Sequence, residues 1–351
     1  MALTAIDLFC GAGGLTCGLK QAGFDVKFGV ELEHVTAVTY RKNYPDHFLY
    51  EADIRTLDPF KIMSDIDFQP GELDLLAGCP PCQGFSSHRT RNKTSSIEDD
   101  RNDLIFELLR FVRVFQPKVV MIENVPGLAK DKIIEQVLND LTDIGYKVGP
   151  LSLQVKNTAF YGVPQRRKRM ILVVSKNGYV PEPAIISPQP TVRDAISHFS
   201  KPEESNDMLH NIIEKRAHRI REMISLVPKN GGSRKDLPKE FWLPCHIRNP
   251  NSYRDVYGRM SWDEVSPTIT GGCTNPSKGR FLHPEQDRAI TLREAAALQT
   301  FPSDYYFSLQ RGKDFAALMI GNALPPSFIY AHALKIKEHI ELSTVELRNS
   351  L

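Results

Sequence analysis

The chain has 351 residues, with 44 Lys and Arg against 42 Asp and Glu, a net charge of +2. Hydrophobic residues make up 41% and charged residues 25%, the balance of a soluble globular protein of about two domains, and this excludes a disordered or collagenous chain. Apolar runs such as Met170 to Val174 are far shorter than the roughly 18 residues of a membrane helix, and no cationic flank and apolar stretch begin the chain, so a cytoplasmic protein is expected.

From residue 1 to about 175, short β-type runs alternate with stretches of helical period, the pattern of a parallel sheet covered by helices. Strands are predicted at Ala5 to Phe9, Val26 to Val30, Leu73 to Ala77, Val119 to Ile122 and Met170 to Val174. Helices are predicted at Leu15 to Ala22, Val35 to Asn43, Leu104 to Phe115 and Lys132 to Ile144. From about 178 to 285 prolines such as Pro181, Pro188, Pro228, Pro244 and Pro267 break every long periodicity, which marks a second, more irregular domain. Helical character resumes at Leu292 to Gln299 and Phe315 to Ile340, so the first domain is expected to comprise 1–177 and 286–351, and the second 178–285. The near-neutral total hides local asymmetry. Between Leu151 and Lys176 stand Lys156, Arg166, Arg167, Lys168, Arg169 and Lys176, and no acidic residue.

The first strand runs into Gly11, Gly13 and Gly14 and then a helix, a geometry that lets a ligand approach the backbone and a helix N-terminus. The third glycine of a dinucleotide fingerprint would fall at Thr16, which weakens the case for a bound pyrophosphate. Glu31, at the end of the second strand, is placed to bond a ribose hydroxyl pair, and Asp53 to reach an adenine amino group. The pattern indicates a nucleoside without a diphosphate.

Gly78-Cys79-Pro80-Pro81-Cys82-Gln83-Gly84-Phe85-Ser86 follows the third strand at the carboxyl edge of the sheet. Cys79 and Cys82 have the spacing of half a zinc site or a redox pair, but the only further candidate ligands, Cys245 and His246, are adjacent rather than spaced, and two prolines stiffen the turn. A turn that presents Cys82 as a nucleophilic thiol is the competing reading, and it requires a nearby cation or proton acceptor. Glu123 ends the fourth strand on the same rim, and alternation along the basic run sends Arg167 and Arg169 to one face. Residues Ser86 to Asn102 form a long polar connection with one aliphatic residue, Ile97.

The motifs DLFCGAGG, GCPPCQGFS, ENV, QRRKR, LREAAALQTFP and GNALPP stand in the order found in cytosine-5 DNA methyltransferases, which the chain resembles over almost its whole length. The resemblance implies an α/β fold: a Rossmann-like S-adenosylmethionine-dependent methyltransferase sheet with a smaller, irregular, mostly β target-recognition domain. It implies S-adenosylmethionine held by Phe9, Gly11, Gly13, Gly14, Glu31, Asp53, Ile54, Gly78, Leu104 and Asn322, and no metal. Cys82 would attack cytosine C6, Glu123 would bond the N3 and N4 edge, and Arg169 with Arg167 would support base and carboxylate. The target base must leave the stack to be reached, and Ser86 to Asp100 is expected to close on it as a lid. DNA contacts are expected from Gln83, Ser86, His88, Arg89, Gln165, Arg248, Tyr253, Arg254, Arg259, Thr270, Gly271 and Gly272, the later ones in segments that mix basic, amide, tyrosine and glycine residues.

The implied partner is double-stranded DNA, with a separately encoded restriction endonuclease in attendance. A monomeric, nucleoid-associated protein is expected, and a stand-alone modification enzyme of bacterial or phage type is expected because little chain lies outside the motifs. The tRNA-methylating branch of the family has Cys-Phe-Thr where this chain has Ser86-Ser87-His88, and an inactive relative would be expected to lack Cys82 or Glu123.

Overall fold

In the computed structural model, which describes residues 2–81, 104–212 and 215–349, seven strands form one sheet in the order β3-β2-β1-β4-β5-β7-β6. They are β1 (Thr4–Leu8), β2 (Asp25–Glu31), β3 (Phe48–Glu51), β4 (Leu75–Gly78), β5 (Val119–Asn124), β6 (Leu153–Asn157) and β7 (Lys168–Ser175). Every strand predicted from the sequence is present. The short β3 and the half-exposed β6 lack the apolar runs that reveal the others.

The first five strands are parallel, but β7 runs antiparallel to both β5 and β6. The parallel pattern expected from the sequence thus holds for the first five strands, while β7 makes the sheet as a whole mixed. The connection 158–167 between β6 and β7 is shorter than the roughly dozen residues a parallel crossover requires. Strand order reverses between β1 and β4, and ligands of open α/β sheets bind outside the carboxyl ends of the strands at such a point.

The helices of this part are α1 (Gly14–Gln21), α2 (His34–Asn43), α3 (Pro59–Asp65), α4 (Leu104–Phe115) and α5 (Lys132–Asp143), with α11 (Pro326–Asn349) at the end of the chain. Helix α4 buries Leu108, Leu109, Phe111, Val112 and Phe115 in one apolar core with Ile6, Leu76, Val120 and Ile122 of the sheet. Asp131 caps α5 by accepting from the Ile133 N–H at 2.9 Å. The C-terminal helix belongs with this sheet because Gly18 on α1 admits it. A Cβ at that position would stand 2.5 Å from the Pro326 carbonyl oxygen and 2.6 Å from Ile329 Cβ.

The chain folds as two compact units, 1–161 with 168–185 and 326–351, and 162–167 with 186–325. The return to the sheet therefore comes at Pro326, whereas the sequence pattern placed it at 286. Residues 286–325 are held in the second unit by polar bonds that hydropathy does not register. Arg293 pairs with Asp207 and donates to the Tyr305 carbonyl at 2.8 Å, and Arg288 is 2.6 Å from Glu294.

The second unit contains α6 (Val192–Ile196), α7 (His218–Leu226), α8 (Pro244–Arg248), α9 (Leu292–Leu298) and α10 (Gly312–Asn322). The expectation of a mostly β second domain is not met: among the described residues this unit has isolated bridges, such as Arg259 with Leu282, and no ladder. Prolines withdraw backbone donors at short intervals, and buried arginines bond the free carbonyls instead. Met223, Ile224, Val227, Leu237, Tyr257 and Leu282 make its small core.

Candidate active site

Four strand ends of the first unit converge on the switch point. After β1 the chain turns through Phe9, which has φ 62°, and Gly11 to Gly13, whose φ of 92° caps α1 without a side chain. Glu31, at the end of β2, closes this loop from the side. Its Oε2 accepts from the Gly11 N–H at 3.0 Å and its Oε1 from the Glu33 N–H at 2.7 Å. Burial pushes the Glu31 carboxyl up from its ordinary value, against the pull of those two N–H groups.

Under the loop lies Asp7, wholly buried in β1. One of its oxygens accepts from Thr16 Oγ1 at 2.6 Å and from the Thr16 N–H at 3.1 Å, and the other has no hydrogen-bond partner among the described residues. Burial raises the Asp7 carboxyl to about 7. Thr16, at the position where a dinucleotide fingerprint has glycine, thus serves as the ligand of a buried acid. Neither Asp7 nor this use of Thr16 was legible as part of the site in the sequence.

Asp53 accepts from the Arg55 N–H at 3.0 Å and forms an ion pair with the Arg55 guanidinium at 2.6 Å, whose hydrogen bonds lower its carboxyl. The buried Ile54 follows, its carbonyl fixed by Arg110 Nη2 at 2.7 Å. Gly78 ends β4 where a Cβ would meet Leu108 Cδ1 at 2.7 Å and the Leu8 carbonyl oxygen at 2.8 Å, so the strand lies directly on α4, which Leu104 begins. Leu32, directly after Glu31, is a large apolar side chain left 65% exposed.

These residues fit S-adenosylmethionine. A ligand carrying a sulfonium and an ammonium supplies the positive charge that an orphaned buried Asp7 oxygen and the destabilised Glu31 carboxyl lack. Among the described residues, no cationic cradle for a diphosphate accompanies the loop.

On the other side of the switch point, Glu123 ends β5 almost wholly buried, with Arg169 Nε 2.9 Å from its Oε1. Arg169 Nη1 also donates to the Lys168 carbonyl at 2.7 Å, which fixes the guanidinium plane. The next residue, Asn124, donates from Nδ2 to the Pro80 carbonyl at 2.9 Å and accepts from the Val125 N–H at 2.8 Å. One strand end therefore carries the acid and ties down the turn that leads to Cys82. Cys79 hydrogen-bonds Glu123, and burial first, then the charge of Glu123, push its thiol well above its ordinary value. A thiol held protonated in this way is no nucleophile. Cys82, Gln83, Ser86, His88 and Arg89, and the expected lid from Ser86 to Asp100, lie outside the described residues.

Other expected site residues belong to the second unit. Gln165 is wholly buried. It donates to Gln299 Oε1 at 2.8 Å and accepts from the Ile269 N–H at 2.9 Å, so the expectation of a DNA contact is corrected to an internal tie. Arg259 is likewise wholly buried, bonded to the His283 carbonyl at 2.8 Å, the Ile224 carbonyl at 3.0 Å and Asp287 at 2.8 Å, and is also corrected to a structural role. Arg167 is buried and donates to the carbonyls of Ile269 at 2.9 Å and Gly321 at 2.8 Å. The alternation that grouped it with Arg169 fails because the chain passes from one unit to the other between Arg167 and Lys168.

Arg248, Tyr253, Arg254 and Thr270 are exposed. Gly271 and Gly272 are half-buried, and a Cβ on Gly271 would stand 2.7 Å from Leu318 Cδ1. Asn322 is exposed at the C-terminal end of α10, in the second unit. No group of three or more His, Cys, Asp or Glu suited to a metal occurs among the described residues, and no described helix is long and apolar enough to cross a membrane.

The chain is 35% identical over 352 residues to the Type II methylase M.HgiDII of Herpetosiphon aurantiacus, an alignment covering 96% of this chain and 95% of that one. It is 33% identical to the Type II methyltransferase M.Eco47II of Escherichia coli, covering 93% and 77%. Among solved structures, its fold is that of a prophage-encoded protein of Escherichia coli, with a TM-score of 0.69 at 24% identity over 97% of this chain and all of that one. DNMT2 of Spodoptera frugiperda is similar at a TM-score of 0.60 and 15% identity, over 95% and 99%. The sequence pattern of C-5 cytosine-specific DNA methylases matches residues 3–338. The chain belongs to that family, and its activity is that of a DNA cytosine-5 methyltransferase.

Proposed function

We propose that the protein takes a cytosine out of duplex DNA, adds Cys82 to its C6 and methylates C5 within a short specific sequence. The observation that carries this reading is Glu123: a buried carboxyl group at a strand end, 2.9 Å from Arg169, whose neighbour Asn124 bonds the Pro80 carbonyl two residues before Cys82.

The chemistry gives each residue a task. Cytosine C5 is too weak a nucleophile to accept a methyl group unaided. Thiolate addition at C6 makes C5 enamine-like, and a hydrogen bond or proton from Glu123 at N3 absorbs the charge delivered to the ring. Arg169 holds the carboxylate in place, and Asn124 holds the proline turn. Cys79, kept neutral by burial, leaves Cys82 as the reactive thiol. The loop from Phe9 to Gly14, with Asp7, Glu31, Asp53, Ile54, Gly78 and Leu104 of the same unit, would hold S-adenosylmethionine, which would supply an activated methyl group. Transfer of the C5 proton to a base, as the C6–S bond breaks, then expels the Cys82 thiolate and restores the aromatic ring.

Extrusion of the base costs a few kcal/mol, which contacts elsewhere on the duplex offset. The second unit, with the exposed Arg248, Tyr253, Arg254 and Thr270, is the part of the chain that reads sequence in this account. The names of the relatives support a place in a Type II restriction-modification system; a cognate endonuclease and an intracellular, nucleoid-bound site of action go with this reading.

The test is transfer of labelled methyl groups to duplex DNA and to tRNA, repeated with 5-fluorocytosine substrates that cannot lose the C5 substituent. A covalent adduct with DNA, absent in Cys82→Ala, is expected. Transfer retained by Cys82→Ala sinks the nucleophile assignment, and label on tRNA alone moves the protein to the RNA-methylating branch.

A further inference from the structure

Residues 249–254 of the second unit form a loop with a buried brace. Arg234, 2% exposed, opens the short 3-10 turn at Arg234–Asp236, behind a capping box formed by Ser233 and Asp236. Its guanidinium passes beneath the loop. Nη2 donates to the carbonyls of Pro250 at 3.0 Å and Ser252 at 2.5 Å, and Nε to that of Tyr253 at 3.3 Å. The same group lies 5.6 Å from the centre of the Trp242 ring. Around it, Lys235 Nζ donates to Asn251 Oδ1 at 3.3 Å, and the Ser252 N–H and hydroxyl both donate to the Asn249 carbonyl, at 3.1 and 2.8 Å.

This arrangement contrasts with what it carries. Tyr253 is 60% exposed and has φ 48°, the left-handed region that a tyrosine adopts only when its surroundings impose it. The brace bonds the backbone carbonyl of this same residue, so the loop segment that carries the exposed ring is fixed from below. Arg248 and Arg254 stand exposed on either side in the sequence. An aromatic ring held toward water, with a guanidinium before and after it in the chain, has a chemistry that suits nucleic acid: phosphates for the arginines, base faces or edges for the tyrosine. A planar fork that fixes three carbonyls of one loop lowers the ordering cost of binding, which lysine at that position would not do.

We propose that residues 249–254 are a pre-formed DNA-reading loop, with Arg234 as its positioning residue and Tyr253 as the side chain presented to the base pairs. It rests on the reading of the second unit as the part that recognises sequence.

The test begins with a duplex library randomised around a central cytosine, whose methylated members define the preferred site. kcat/KM is then compared for that site and its one-base variants in the parent enzyme, Tyr253→Ala, Tyr253→Phe and Arg234→Lys, with melting temperature and S-adenosylmethionine affinity as folding controls. Tyr253→Ala is expected to lower the preference for the site by about tenfold, and Tyr253→Phe to retain most of it. Arg234→Lys is expected to lower the preference in the same direction and to speed tryptic cleavage after Arg248 and Arg254. A folded Tyr253→Ala enzyme with undiminished preference overturns the proposal, and so does a folded Arg234→Lys enzyme whose loop is cleaved no faster. A parent enzyme that methylates every duplex equally overturns the recognition reading beneath it, an outcome distinguishable from both.

Discussion

Glu123 and Arg169 meet at 2.9 Å across the antiparallel β5–β7 pair, with side chains 9% and 17% exposed. An antiparallel neighbour brings a residue at the start of β7 beside the carboxyl end of β5, where a parallel neighbour would present its own carboxyl end. The reversal of β7 therefore delivers the arginine to the acid.

Removing either partner is expected to have separable effects. Glu123→Gln keeps the shape but not the proton chemistry, and should lower kcat by about a hundredfold or more, measured by single-turnover methyl transfer. Arg169→Ala leaves a largely buried carboxylate uncompensated, and should cost about 3 kcal/mol of stability in denaturant melts as well as activity.

The buried Asp7 makes the stability of the first unit depend on pH. Its carboxyl lies at about 7 in the folded protein, against 3.8 for the free group, so the folded state retains a proton that the unfolded chain has released between those values. The associated stability is fully present below pH 3.8 and lost as pH rises through 7. The Asp7→Asn protein should therefore gain on the parent as pH rises from about 4 to 8, by up to about 4 kcal/mol. Cofactor affinity should move oppositely. A cationic ligand favours the ionised acid, so calorimetry should show tighter S-adenosylmethionine binding at about pH 8 than at about pH 6 in the parent and little difference in Asp7→Asn.

Asn124, next to Glu123, bonds the Pro80 carbonyl at 2.9 Å, two residues before the proposed nucleophile Cys82. In Asn124→Ala that carbonyl loses its partner and the turn its anchor. Covalent trapping on 5-fluorocytosine DNA should slow by about tenfold, the scale of one buried hydrogen bond. Trapping at the parental rate would show that the proline turn holds itself.

Two arginines close together in the sequence should behave in opposite ways. Arg254→Ala removes an exposed charge, and is expected to leave the melting temperature alone while reducing the salt dependence of DNA binding by about one counterion. Arg259→Ala empties a wholly buried position that bonds the carbonyls of Val227, His283, Gln286 and Ile224, and should destabilise the second unit by about 3 kcal/mol or more.

Much of the first unit was legible because its physics is local. Apolar runs at strand length, Gly13 at the start of α1 and the greasy face of α4 report burial and backbone conformation directly. The strand-to-loop steps at Phe9, Glu31, Gly78 and Glu123 could be assigned to one rim because parallel strands end on the same side. Asn124 escaped because a lone amide looks ordinary until its neighbours are known.

What the sequence alone determined, then, is the set of chemical groups and the strand ends that carry them. Tertiary structure decided which of those groups are partners and which are buried. Arg167, Arg169, Arg254 and Arg259 are identical side chains in similarly basic stretches. One is bonded to carbonyls, one to the candidate catalytic acid, one is exposed to solvent and one closes a core. A guanidinium's role depends on whether carbonyls, a carboxylate or water surround it, and the carbonyls that hold Arg167 come from residues more than a hundred positions away, beyond the reach of any local pattern.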